Sequence, residues 1–232
     1  MAPYSKHFHS KKQSGNAMIY VLVIVALFAA LSFVLARHSG TAETGELSSQ
    51  KIEIDAANIL QTAAQMKQAL DQMNFSGSSI ASLDFTTPDD EPAFSAGSKT
   101  HKFFHPAGGN AGVPRLPEAD ITQVTADPPA GWYIGRFNNT EWTGLPVNDV
   151  MLTAFQITKP LCQEINKKLT GSTAIPVATV SLRNVLIAAS HHTGANADFT
   201  VAACGACDGL LSLCVEDPGN NLWAFYSILA PQ

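Results

Sequence analysis

The side chains of this 232-residue chain best suited to chemistry are four cysteines, two pairs of histidines and one run of acids. Cys204 and Cys207 form a Cys-x-x-Cys spacing, with Cys214 close behind and Cys162 upstream. In a reducing compartment such a set points to zinc or a redox pair. In an oxidising one it points to two disulfides, with three pairings open. No thioredoxin-like βαβ pattern flanks the Cys-x-x-Cys, which argues against redox catalysis. His101 and His105 have the spacing of helical metal ligands, but "HKFFHPAGG" is not a helical sequence and no acid is placed to complete a site. His191 and His192 are adjacent and would diverge on a strand. Asp89, Asp90 and Glu91, between Pro88 and Pro92, read as a solvated turn. The chain has no G-x-S-x-G, no H-E-x-x-H and no P-loop; "GSKT" at 97–100 lacks the earlier glycine. Two glycosylation sequons, at Asn74 and Asn138, are a pattern frequent by chance. No catalytic residue, no metal and no cofactor is expected.

Which compartment the cysteines occupy depends on the N-terminal third. Net charge is −5, unevenly spread. Of the 14 basic residues, Lys6, Lys11 and Lys12 precede Gly15 with no acid among them, leaving 11 against 19 acidic residues in the remainder. A nucleic-acid binder usually has the opposite sign, so no nucleic-acid partner is expected. Residues 17–36 are apolar apart from Tyr20 and Ser32. Twenty helical residues rise about 30 Å, the thickness of a hydrocarbon core. A secretory signal has a shorter apolar region and ends in a small-x-small site; "SFVLARHSGTA" is a poor one. By the positive-inside rule the lysines stay in the cytoplasm and the acidic body crosses. All four cysteines then lie where disulfides persist.

"KKQSG" followed by "NAMIYVLVIVALFAALSFVLAR" resembles the N-terminus of a type IV prepilin or type II secretion pseudopilin, over roughly residues 5–73. The resemblance implies that a prepilin peptidase cuts on the cytoplasmic side between Gly15 and Asn16, and that the apolar segment stays in the mature subunit. Two positions depart from the pattern. Asn16 stands where phenylalanine is frequent, and Tyr20 where the family carries glutamate; some minor members, the K-type minor pseudopilin among them, also lack that glutamate. In a filament core the carboxylate pairs with a neighbour's N-terminal amine, and an unpaired buried charge there costs several kcal/mol. A subunit without it fits a tip or an initiating complex. On a simple anchor Tyr20 would instead be an interfacial aromatic. The crowding at 204–214 resembles the disulfide-closed C-terminal loop of pilin heads.

After Arg37 a polar stretch with Gly40 and Gly45 interrupts the pattern. Ile52, Ile59, Met66, Leu70 and Met73 then recur at helical spacing and, with Ala56 and Ala63, mark one apolar face. Ser48 or Ser49 is placed to cap this helix, and Gly77 follows its end. Residues 74–127, thick with Gly, Pro, Ser and Asp, read as ordered turns or a surface excursion with strand-like scraps at 80–85 and 102–105. Residues 132–137 read as a strand. Residues 147–169 read as a helix with face Val150, Ala154, Ile157, Leu161, Ile165 and Leu169, kinked near Pro160 and ended by Gly171. Residues 176–189 hold one long strand or two short ones. Residues 210–215 and 222–229 flank "EDPGNN" as a hairpin whose last strand, apolar on both faces, belongs inside the sheet.

The expected fold class is α+β: a long N-terminal helix, transmembrane then amphipathic, packed on an antiparallel sheet head with one further helix. Its parts are a basic leader (1–15), a transmembrane or filament-core helix (16–37), an amphipathic stem (47–73) and a periplasmic head (74–232). The expected function is a minor pilin or pseudopilin-like structural subunit, not an enzyme. It sits in the bacterial inner membrane as a single pass with a cytoplasmic N-terminus and periplasmic head, or outside the cell in a filament. Its expected partners are other pilin-like subunits, the prepilin peptidase, the inner-membrane assembly platform and membrane lipid. Two alternatives stay open: a membrane-anchored periplasmic binding or accessory domain that does not polymerise, and an anchored enzyme whose catalytic residues carry no recognised signature.

Overall fold

The computed structural model describes residues 17–38 and 42–231 and divides them at Gln50 into two compact units. Gly15 and Asn16, the expected processing residues, lie outside the described residues. In the first unit, α1 runs Ala17–His38. Among the described residues no helix is long and apolar enough to cross a membrane. The side chains described in α1 are those of 19–30 and Ser32, which is short of a span.

The second unit is α+β, a four-stranded antiparallel sheet with several helices. Helix α2 (Ala42–Phe75), which belongs to this unit from Lys51 on, starts before Ser48 and Ser49, so both lie inside it and neither caps it. From Ala56 on, the expected face is buried: Ala56, Ile59, Ala63, Met66, Leu70 and Met73 join one core cluster, while Ile52 is half-buried. The helix ends where expected, with Ser78 N–H donating to Met73 O at 3.0 Å and Gly77 taking φ +100°. That left-handed turn favours glycine.

The strands are β1 (Gly131–Asn138), β2 (Asp149–Ile157), β3 (Ser212–Asp217) and β4 (Leu222–Ala230), in the order β1-β2-β4-β3. β3 and β4 form the expected hairpin, and β4 lies inside the sheet between β2 and β3. Both faces are covered. Val150, Leu152, Ala154, Phe225 and Leu229 pack towards α2 and α3 (Lys159–Thr170). Met151, Phe155, Val215, Ala224 and Tyr226 pack towards α4 (Leu182–Leu186) and the segment carrying Phe199.

That double cover explains the main correction. Residues 147–169 are not one helix. Asp149–Ile157 is a strand with all nine residues buried, and the helix begins only at Lys159. A strand covered on both faces shows no polar alternation, so its apolar run matched helical spacing by accident. Pro160 sits in the first helical turn, where no N–H is needed, and marks a start rather than a kink. Leu169, assigned to the apolar face, is exposed. Gly171 ends the helix as expected, at φ +78° with its N–H on Lys167 O.

Residues 176–189 give a second correction. They contribute a single bridge, Val177 to Glu216, and one short helix, α4, over Leu182–Leu186. Their Val and Leu content reflects burial: Ala178, Leu182, Val185, Leu186 and Ile187 are all core. With α3 and α4 the head has two further helices, not one. In the Gly/Pro-rich excursion, 80–85 holds a 3₁₀ turn (Ile80–Ser82) and one bridge, Asp84 to Lys102. The excursion is not wholly surface. Phe103 and Phe104 are buried in the α2 cluster, and a Cβ at Gly109 would run into Phe103 O and, at 2.6 Å, Met73 Sδ.

Candidate functional site

Helix α1 carries the most exposed apolar surface among the described residues. Ile19, Tyr20, Val21, Leu22, Val23, Ile24, Val25, Leu27 and Phe28 are each 51–73% exposed. Successive helical residues step about 100°, so residues 19–25 cover the whole circumference. A helix apolar all round belongs inside a large assembly or a bilayer. Tyr20 lies near the start of this surface and brings a phenol where a carboxylate would bring a charge.

In the second unit the four cysteines pair as Cys162–Cys214 and Cys204–Cys207, with Cα–Cα distances of 5.4 and 5.3 Å. Among the three pairings open from sequence, this one joins α3 to β3 and closes a local loop around the turn Gly205–Cys207. All four residues are buried. Thiol exchange needs an approachable sulfur, which this burial denies. The first bridge is reinforced by Asn166, a role sequence reading missed. Asn166 Nδ2 donates to Cys214 O, and Cys214 N–H donates to Asn166 Oδ1, both at 2.8 Å. The side-chain amide thus completes a strand residue much as a neighbouring strand would.

The histidines are engaged separately. His101 Nδ1 lies 2.9 Å from Ser78 Oγ, and His105 Nδ1 accepts from Ala107 N–H. The His191 ring rests on Tyr133, and buried His192 reaches Ile187 O. Among the described residues no group of three or more His, Cys, Asp or Glu is placed to hold a metal ion. Asp90 is a turn residue that accepts from Thr87 N–H and Oγ1, bonds that hold its carboxyl below the usual carboxylate range. Asn138, the acceptor of the second sequon, is buried and donates to Asn184 O and Val185 O, so it is closed to a glycan in the folded protein.

One ionised cluster was also missed. Lys51 Nζ donates to Asp55 Oδ2 at 2.6 Å and lies 3.6 Å from Asp120 Oδ1, tying α2 to the turn Glu118–Asp120. Removal from water, then the Asp55 charge, push the Asp120 carboxyl above its ordinary value, with Lys51 partly offsetting. The i,i+4 Lys51–Asp55 pair was the available signal. Nothing in sequence linked it to Asp120. The cluster tethers α2 to that turn.

Comparison with known protein families, curated proteins and solved structures finds no match for this chain.

Proposed function

We propose that the chain is a minor pilin or pseudopilin-like structural subunit of a type IV pilus or type II secretion filament, placed at the tip or in the initiating complex. The observation that carries the reading is a helix apolar on every side, beginning two residues after Gly15, with Lys6, Lys11 and Lys12 and no acid before that glycine. In this reading residues 16–37 form the membrane and filament-core helix. The head is periplasmic or extracellular, which fits two disulfides and no free cysteine. The peptidase, the assembly platform, lipid and other pilin-like subunits are its partners.

A second reading is supported by one residue. Tyr20 in place of the glutamate suits an interfacial aromatic on a tethered head that does not polymerise. A photoreactive benzoylphenylalanine in place of Phe28, in the full chain within its own membrane, separates the two. The subunit reading expects a crosslink to another pilin-like chain. Crosslinks to lipid alone support the tethered head.

A further inference from the structure

The two edges of the sheet are treated differently. In an antiparallel ladder a residue directs both its N–H and its C=O to the same side, and the side alternates along the strand. Ile228 N–H donates to Leu211 O at 2.7 Å, so even-numbered residues of β4 face β3 and odd-numbered ones face β2. Carried through the registers Leu152↔Ser227 and Ala154↔Phe225, then Tyr133↔Thr153 and Gly135↔Met151, this phase turns Trp132, Ile134 and Arg136 of β1 outward. The opposite edge supports the phase. The outward residues of β3 include Cys214 and Glu216. Asn166 completes Cys214, and Glu216 is completed by Pro176 O and Ala178 N–H, both at 2.9 Å.

No such cover exists on β1 among the described residues. Among the described residues, no side chain and no backbone group outside the ladder bonds the N–H or C=O of Trp132, Ile134 or Arg136. The edge opens on a cleft of about 710 Å³ whose far wall includes Thr87, Asp89 and Asp90. Arg136, also in the lining, donates to Ala81 O and keeps its positive charge, while Asp84 is paired with Lys102. Asp89 and Asp90 make no ion pair among the described residues and, even with His191 near Asp90, outnumber the single guanidinium of Arg136 in the lining. Proteins commonly blunt such an edge with charged side chains, a proline, a bulge or a cover, and β1 has a charge and a register shift only at its end, at Arg136 and between Arg136 and Asn138. Residues 131–137 hold neither lysine nor proline.

We propose that the outer edge of β1 is a docking site for an extended, basic segment of a partner protein, added as a fifth strand. The open row of donors and acceptors, spaced by two residues or about 6.6–6.8 Å, is satisfied by another extended backbone. The carboxylates of Asp89 and Asp90 select lysine or arginine in the added segment. This site is independent of how α1 is used.

The test uses the full chain in detergent, with amide exchange measured over 131–138. The probe is a blocked hexapeptide of alternating valine and lysine. Its controls are the same peptide methylated at every amide nitrogen and a valine–glutamate version. The expected result is at least tenfold slower exchange at the outward amides with the lysine peptide, and no change with the methylated one. Asp89→Lys with Asp90→Lys is expected to weaken lysine-peptide binding at least fivefold and to favour the glutamate peptide. Asp89→Lys alone leaves the Asp90–Thr87 bonds of this exposed turn intact, so it is the fold-neutral variant, and it is expected to weaken lysine-peptide binding at least threefold even where Ile134→Pro, which deletes one outward N–H, does not fold. Equal binding of the methylated peptide overturns the proposal, as does no protection at millimolar peptide. Concentration-dependent protection without peptide would assign the edge to a second copy of the chain and also overturn it.

Discussion

Cys162–Cys214 and Cys204–Cys207 close loops of very different length, with sequence separations of 52 and 3. Chain entropy gives about 4 kcal/mol for the first and about 2 kcal/mol for the second. Replacing the first pair with serine is therefore expected to lower the urea midpoint about twice as far as replacing the second. Equal effects would mean that the local bridge does more than close its loop. Asp120 gives a pH test. Its folded pKa is raised, so over the window from the ordinary carboxylate value up to the raised one the folded state holds the proton more tightly. Stability from this group then falls as pH rises through that window. Asp120→Asn is expected to remove the fall, gaining on wild type at neutral pH relative to acid pH in urea titrations. Asp127, held low by Thr193, has the opposite sign: its contribution is present above the ordinary carboxylate value and fades as pH falls through the lowered one. An Asp120→Asn difference that grows towards acid would contradict the assignment.

Elements were legible where one face is wet. The α2 face, the strand at 132–137 and the hairpin at 210–229 could be read because each meets solvent or carries turn residues. β2 could not, because cover on both faces erased its alternation, and Thr153 and Gln156 were no guide. Both are buried polar residues satisfied across the chain, Thr153 on Leu186 O and Gln156 on Thr125 and Pro128. The bond from Asn166 to Cys214 spans 48 residues, and no local pattern announces it. Asn166→Ala would leave buried groups of Cys214 unpaired, at about 1–3 kcal/mol each. It is expected to destabilise the head by at least about 2 kcal/mol in denaturant unfolding. A loss under half that would mean water replaces the amide.

For the molecule as a whole, the surroundings of α1 decide between a filament subunit and a tethered head. Tyr20→Glu places a carboxylate about a turn inside the apolar helix. Unpaired at a helix centre it would cost on the order of 2.5–3.5 kcal/mol, less near the interface. Paired with a neighbour's amine, much of that is offset. The variant is expected to be neutral or to enter a filament shaft more often, measured by its abundance in sheared filaments. A block in membrane insertion would favour the tethered head. Cleavage of a basic leader at Gly15, with the apolar helix retained, is read from the intact mass of the chain extracted from its own membrane. The expected mass is that of a mature chain starting at Asn16, with Gly15→Asp left uncut. A wild-type mass that still includes Lys11 and Lys12, or the same mass from Gly15→Asp as from wild type, would contradict it.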